Sequence, residues 1–374
     1  MKILSTGDWH FNAGYDDDVL ASVGQIRDYI MANDVDALFV TGDVYDKASD
    51  PKSRNLAAEQ IQHIAERVPV LIVRGNHDAP GDLNILAKLH SVYPIRVFET
   101  PTDVIYQTLK DDKPIKVQIL PWITKARWLA LHPEATKEES DRTVSQLILE
   151  YLRNNVALGA GMPVILVAHL TIAGARAEHR QQMGADGVTL GLYDIAEAGY
   201  KAAMLGHIHL RQEIGASTYF YNGSIAPLDY GENPEKFFSV LDTKTWEVEW
   251  VRLKTVHRQD INAHFTPNGT VIDEQNLDIR QLFGARVRVN LRVEGGENVA
   301  LAKQKMTEWL ERWGVLEYKI NPQVISVTKV RAVEISNCVK MSDKLKQYWQ
   351  ATEQPEEAND MLDKLAQVED ECSL

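Results

Sequence analysis

Residues 37–46 read Ala37-Leu38-Phe39-Val40-Thr41-Gly42-Asp43-Val44-Tyr45-Asp46. An apolar run of this length suits a strand covered on both faces, and Gly42 lets the backbone turn sharply where the strand stops. The same arrangement recurs along the first two thirds of the chain. Ile3–Thr6 precedes Gly7-Asp8-Trp9-His10, Val70–Val73 precedes Gly75-Asn76-His77-Asp78, Val164–Ala168 runs into His169, and Ala202–Leu205 runs into Gly206-His207-Ile208-His209. Amphipathic helical patterns lie between them at Val19–Ala32, Ser53–Val68, Leu83–His90 and Arg142–Ala157. Strands separated by helices predict an α/β layered core. On a parallel sheet the C-terminal strand ends converge in one crevice, so the polar clusters that follow the strands can meet there.

Those clusters contain the donor types that a pair of divalent metals requires. Any one of them alone is weak evidence, because an Asp-x-His pair arises by chance, Gly-Asp after a strand is commonly a turn, and a lone histidine is commonly structural. All five in order at strand ends predict a metal site. Mixed imidazole and carboxylate donors suit Mn, Fe or Zn better than Ca or Mg. Asp43 is the best candidate to bridge two ions, and a hydroxide held there can attack phosphorus in line while the cations neutralise charge on the phosphoryl oxygens. Asn76 offers a neutral carbonyl ligand, and His77 can reach the leaving oxygen or the phosphoryl group instead. The other histidines, His63, His90, His132, His179, His257 and His264, are expected to be structural or solvent-facing.

The chain has 374 residues, 44% hydrophobic and 25% charged, enough for two or three globular domains. No apolar run is long enough to cross a bilayer, and the two cysteines, Cys338 and Cys372, fit a reducing cytoplasm. A net charge of −13 argues against a nucleic-acid ligand, but it is unevenly spread. From Ala351 onward there are eight acidic residues against one basic, whereas Arg252–Lys346 has sixteen basic against eleven acidic.

Phe237–Leu241 and Val248–Leu253 read as strands that close the large domain, and Lys254–Asp278 reads as mixed and loop-like. A strand at Arg286–Val293, a helix at Asn298–Trp313 and a strand at Gln323–Val330 then predict a small β-α-β domain. Two helical patterns follow, Met341–Gln350 and Pro355–Val368. Met341, Leu345, Tyr348 and Trp349 share one face, as do Ala358, Met361, Leu362 and Leu365, and so short a pair is expected to dock on something.

The motif set Asp-x-His, Gly-Asp-x-x-Asp, Gly-Asn-His-Asp and Gly-His-x-His resembles the calcineurin-like metallophosphoesterase superfamily. His169-Leu170-Thr171 with Gly174, Leu205 to His209, Tyr221-Asn222-Gly223-Ser224, Pro227-Leu228 and Gly231-Glu232 make the resemblance that of SbcD-type nuclease subunits. It implies a layered β-sandwich flanked by helices over residues 1–253, a DNA-capping domain over 254–332, and a linker with an ATPase-binding helical segment over 333–374. It also implies one metal on Asp8, His10, Asp43 and His209 and a second on Asp43, Asn76, His169 and His207, with Mn first and Mg second. His77 would assist the transition state or protonate the leaving group, with Asp78 orienting it.

By the same resemblance the chain would be the nuclease subunit of an SbcC–SbcD-like complex in DNA repair, recombination or replication. It would act as an exonuclease on double-stranded ends and an endonuclease on single strands, as a homodimer within a heterotetramer, in the cytoplasm of a bacterial or phage-infected cell. No Gly-x-x-x-x-Gly-Lys-Ser/Thr loop occurs, so ATP hydrolysis would come from an SMC/ABC-type ATPase docked on Met341, Leu345, Tyr348, Trp349, Met361, Leu362 and Leu365. The alternative is that this segment folds back on the nuclease domain. Arg286, Arg288 and Arg292 are expected to touch DNA, unless they are only the wet face of a strand. Two other functions compete: a phosphodiesterase for small substrates, and a scaffold that bridges DNA ends for the ATPase.

Overall fold

The computed structural model describes residues 1–371, apart from 13, 15, 108–112, 132–139, 158–160, 182–186, 267–268, 273–278, 295–297, 326–340 and 352–357. The chain runs β1 (Lys2–Thr6), α1 (Asp16–Ala32), β2 (Ala37–Val40), α2 (Pro51–Ala65), β3 (Val70–Val73), β4 (Ile95–Phe98), β5 (Thr102–Tyr106) and β6 (Ile115–Leu120). It continues through α3 (Lys125–Leu131), α4 (Ser140–Ala157), β7 (Val164–His169), β8 (Thr171–Ile172), β9 (Thr189–Leu190), α5 (Leu192–Ala198), β10 (Ala202–Gly206), β11 (Gln212–Ile214) and β12 (Ala216–Tyr221). Then come β13 (Lys236–Asp242), β14 (Glu247–Leu253), β15 (Arg258–Thr266), β16 (Gly269–Ile272), β17 (Arg286–Glu294), α6 (Val299–Arg312), β18 (Glu317–Ile325), α7 (Met341–Ala351) and α8 (Ala358–Glu371).

Two six-stranded sheets form the α/β core, in the orders β14-β13-β1-β2-β3-β4 and β11-β12-β10-β7-β6-β5. The four strands β1 to β4 are mutually parallel, as are β6, β7, β10 and β12, and antiparallel strands lie outside them. The inner parallel strands β1, β2, β3, β7 and β10 are buried on both faces, which explains their unbroken apolar runs. In β2, Ala37 and Phe39 join Val117, Ile165, Val167, Met204 and Phe220 in an apolar layer between the sheets. Leu38 and Val40 face the other way, towards Val23 and Ile26 of α1 and Ile61 and Ile64 of α2. The second sheet turns Leu166 and Ala168 towards Ile148 and Leu152 of α4. The architecture is therefore helices, sheet, sheet, helices. The helix α2 starts two residues earlier than its apolar pattern, because the Asp50 side chain accepts from the amides of Lys52 at 2.9 Å and Ser53 at 3.1 Å while Pro51 opens the first turn.

The parallel-sheet expectation holds within each sheet, but the five clusters are divided between two. Asp8, Asp43 and Asn76 follow β1, β2 and β3, whereas His169 ends β7 and His207 follows β10. Several elements depart from the sequence reading. The segment expected as a helix over Leu83–His90 is a 3-10 turn, Asp82–Lys88. Strand β6 is hidden in the sequence by Lys116 and Gln118, which are buried and find polar partners: Lys116 Nζ donates to Asn155 O at 2.7 Å, and Gln118 Oε1 accepts from the Tyr200 hydroxyl.

The chain divides into two compact units, one of Met1–Asp260, Asp278–Arg288 and Arg312–Lys319, the other of Ile261–Leu277, Val289–Glu311 and Ile320–Leu374. In place of a loop after Lys254 there are two strands, because Ile261, Ala263 and Phe265 alternate inward between polar neighbours. The expected β-α-β unit is a four-stranded sheet, β16-β15-β17-β18, with one helix, α6. Its last strand begins at Glu317, six residues before the expected start, and residues 326–330 of the expected span lie outside the described residues. Helices α7 and α8 pack against each other. Residues 355–357 of the second expected helix lie outside the described residues. No described helix is long and apolar enough to cross a membrane.

The two sheets touch tightly at the strand ends, where a Cβ on Gly206 would stand 2.2 Å from Thr41 O. Gly206→Ala should destabilise the protein by about 1–3 kcal/mol through overpacking, read as a Tm several degrees lower in thermal unfolding. An unchanged Tm would mean that this contact yields without cost.

Candidate metal centre

Backbone hydrogen bonds extend the pairing of β1 and β2 into their loops: the Asp8 amide donates to Gly42 O at 2.9 Å and the His10 amide to Asp43 O at 3.0 Å. Asp8, His10, Asp43 and His207 then take left-handed φ values of 51°, 55°, 52° and 102°. Such angles are costly for residues with a Cβ, so surrounding contacts must hold them. Asp8 Oδ1 accepts from the His207 amide at 2.9 Å and binds the loop after β1 to the loop after β10.

All seven expected ligands come together. Ligand atoms of Asp8, His10 and His209 lie within 4.8 Å of one another, as do those of Asp43, His169 and His207. Asn76 Oδ1 lies 2.9 Å from both His169 Nε2 and His207 Nδ1. Asp43, 1% exposed, joins the groups: its Oδ2 lies 3.7 Å from His10 Nε2 and 3.3 Å from His169 Nε2. Donors bonded to one ion at about 2.1 Å sit about 3 Å apart when cis, close to these spacings.

Other residues aim the ligands. His169 Nδ1 is 2.7 Å from Thr41 O, and because a carbonyl only accepts, the ring donates there and keeps Nε2 for the centre. Tyr221 belongs to the Tyr-Asn-Gly-Ser stretch; its hydroxyl donates to Leu170 O at 2.9 Å and accepts from the Ile172 amide at 3.0 Å, bracing the turn after His169. The Ser224 amide donates to His209 O at 3.1 Å.

His77 lines the cavity and is 39% exposed, with its amide donating to Asp43 Oδ1 at 2.8 Å and its Nδ1 donating to Asp46 O at 2.6 Å. The expectation that Asp78 orients it is corrected. Asp78 is buried with its carboxylate taken up by the amides of Asp43 at 3.0 Å, Gly75 at 2.9 Å and Tyr45 at 3.0 Å. It shapes the loops, while Asp46 holds His77. Asp46 stood in the Gly-Asp-x-x-Asp motif but was given no role, and its Oδ1 lies 3.4 Å from His10 Nδ1. Gln181 and Trp122 had no signal in the sequence. Gln181 Nε2 donates to His207 O at 2.5 Å while its Oε1 accepts from the His209 amide at 3.1 Å, and the Trp122 ring lies 4.7 Å from that of His207. His179, expected to be structural or solvent-facing, lines the same cavity.

Burial, reinforced by the Asp43 charge, raises Asp8 to about 6. Burial together with His169 lowers His207 to about 3, and burial holds His209 well below its ordinary value. Burial works against the charged forms of Asp43 and His169, yet their attraction prevails, so Asp43 is lowered and His169 is raised to about 9. His10 Nε2 and His207 Nε2 are buried without a hydrogen-bond partner. Crowded carboxylates, the imidazoles of His207 and His209 held neutral and unpaired ring nitrogens on His10 and His207 make a donor set that fits divalent metal.

The three arginines expected at DNA fare differently. Arg286 pairs with Asp18 at 3.1 Å and with Glu317, and Arg288 forks onto Asp260 at 2.6 and 2.7 Å. Arg292 is exposed. In the C-terminal pair, Met341, Tyr348 and Met361 are exposed, and Leu345, Trp349, Leu362 and Leu365 are partly covered.

A family model described as calcineurin-like phosphoesterase matches residues 1–211. The chain is 26% identical over 265 residues to the SbcD subunit of the nuclease SbcCD from Staphylococcus epidermidis, covering 65% of this chain and 66% of that protein. It is 28% identical over 262 residues to the protein of the same name from Rhodobacter capsulatus, covering 62% and 64%. The chain thus spans just under two thirds of the length of these two relatives. Among solved structures, the protein TT1561 of Thermus thermophilus aligns with a TM-score of 0.41 at 16% identity, over 67% of this chain and 98% of that one.

Divalent metal at about 100 times its Kd should stabilise the folded chain by about 2.7 kcal/mol, seen as a rise in Tm that EDTA reverses. Asp43→Ala should remove that rise, and its survival would place the metal elsewhere. Asp78→Ala should cost about 3 kcal/mol with or without metal, since three buried amides lose their acceptor; calorimetry in both conditions checks this.

Proposed function

Because the chain belongs to the calcineurin-like phosphoesterase family, we propose that it is a two-metal DNA nuclease, working as the nuclease subunit of an SbcC–SbcD-like complex in DNA repair, recombination or replication. The observation that carries this reading is the pair of ligand groups meeting at Asp43, in a chain whose curated relatives are named as nuclease subunits. Asp8, His10, Asp43 and His209 would hold one ion, and Asp43, Asn76, His169 and His207 the other, with Mn favoured by the mixed nitrogen and oxygen donors and Mg second. When bound, such ions supply Lewis-acid neutralisation of the phosphoryl oxygens and an activated water.

The chain's own residues do the rest. Asp43 and Asp8 bring negative charge to hold the cations, and the Trp122 ring packs against that of His207. With Nδ1 committed to Asp46 O, His77 keeps Nε2 to exchange a proton with the leaving oxygen. The exonuclease action on duplex ends, the endonuclease action on single strands, the homodimer and the cytoplasmic location belong to this reading. Within it, Arg292 is the arginine of β17 left to meet a phosphate, and the exposed apolar residues of α7 and α8 are the dock for the ATPase. The internal pairing of Arg286 and Arg288 weakens the case for a duplex clamp and gives the small-diester alternative its support.

End-labelled duplex incubated with the chain should shorten with Mn and stay intact in EDTA or on Asp8→Ala. Hydrolysis of bis(p-nitrophenyl) phosphate with the DNA intact, even after the ATPase is added, would favour the small-diester reading. His77→Ala should lower cleavage about 10²–10⁴-fold while metal and DNA binding persist; unchanged cleavage would remove His77 from the mechanism, and a scaffold would show binding without cutting in the wild type. Deleting Met341–Val368 should abolish co-purification of the ATPase and spare basal cleavage, and retained binding would defeat that assignment.

A further inference from the structure

The cavity beside the ligands, about 250 Å³, has a wall that the mechanism above leaves without a role. It is built by the turn Glu178-His179-Arg180-Gln181 together with Leu228, Asp229 and Glu232. Among the described residues lining the cavity, Arg180 is the one lysine or arginine. The turn is pinned at both ends. Glu178 lies 3.6 Å from the buried Lys236 ammonium, and Gln181 clamps the backbone of His207 and His209 at 2.5 and 3.1 Å. Between these anchors Arg180 takes a left-handed φ of 58°. A residue with a Cβ keeps that conformation only where its neighbours impose it, so the turn fixes where the side chain starts.

The Arg180 side chain is 48% exposed, and its Nη1 lies 2.7 Å from Asp260 Oδ2 and 4.0 Å from Asp229 Oδ2. Both carboxylates have a second partner. Arg288 grips Asp260 through Nε at 2.6 Å and Nη2 at 2.7 Å, and reaches Asp229 Oδ1 at 3.3 Å. Arg180 is the more exposed of the two cations on these carboxylates, 48% against 22% for Arg288. Releasing it would leave both acids in contact with Arg288.

We propose that Arg180 is a positioning residue that binds a phosphate adjacent to the scissile one on a polynucleotide strand, and so selects polymeric substrate over an isolated diester. This rests on the nuclease reading above. The scissile phosphate goes to the metal ligands, and the next phosphate along the strand needs a cation at the wall of the same cavity. A guanidinium offers paired donors to it. An isolated small diester carries no second phosphate and gains nothing from Arg180.

The test uses the full chain loaded with Mn and compares wild type, Arg180→Gln and Arg180→Lys on a single-stranded oligonucleotide and on bis(p-nitrophenyl) phosphate. In Arg180→Gln the ratio of oligonucleotide to small-diester kcat/KM should fall about tenfold, carried by the oligonucleotide KM. The slope of log KM against log salt should shrink by about 0.7, the loss of one phosphate contact on a single strand. Arg180→Lys should keep that slope and recover part of the ratio. An unchanged ratio, or equal losses on both substrates, overturns the proposal. A wild type that hydrolyses only the small diester even with the ATPase added overturns the nuclease reading and this proposal with it, a result distinguishable from an oligonucleotide cut equally well by wild type and Arg180→Gln.

Discussion

The Asp43 carboxylate lies in the interior between imidazoles delivered by two different sheets, and the placement of nearly every polar group around it follows from that. A buried carboxylate is tolerable only where positive charge or donors surround it. Here His10 approaches from the loop after β1, His169 from the end of β7, and the His77 amide from the loop after β3. Each sheet contributes what the other lacks: the first mainly carboxylates and Asn76, the second histidines. The apolar layer between the sheets holds the two edges of this arrangement in register.

That arrangement has costs at identifiable places. Four ligand residues adopt left-handed backbone, and Gly75 and Gly206 stand where a side chain would strike Asp43 Oδ1 at 2.0 Å or Thr41 O at 2.2 Å. The supports lie one layer out. Asp78 gathers three amides, Thr41 fixes the His169 ring, and Gln181 closes the turn that carries His207 and His209. Such a site keeps its geometry before a ligand arrives, which is what electrostatic catalysis requires.

Strand β17 sets Val287, Val289, Leu291 and Val293 inward and its arginines on the opposite face. Arg286 and Arg288 lie in the larger unit and pair there with Asp18, Glu317, Asp260 and Asp229, so two arginines of a basic stripe in the sequence become members of ion pairs. Alternation in a sequence shows which residues share a face. It does not show what that face meets.

The sequence by itself determined the α/β core and the seven candidate ligands that the structure brings together, because buried parallel strands leave continuous apolar runs and each candidate lies shortly after such a run. It did not reveal β6, whose buried Lys116 and Gln118 find partners far along the chain, or β15, whose inward residues are diluted by polar ones. Only the tertiary structure decided that the clusters come from two sheets, that Asp46 and not Asp78 holds His77, and that Gln181, Trp122 and Arg180 surround the ligands. The reason is physical. A ligand beside its own strand is placed by local geometry, whereas these supporting residues are brought in by loops whose paths depend on packing between the sheets.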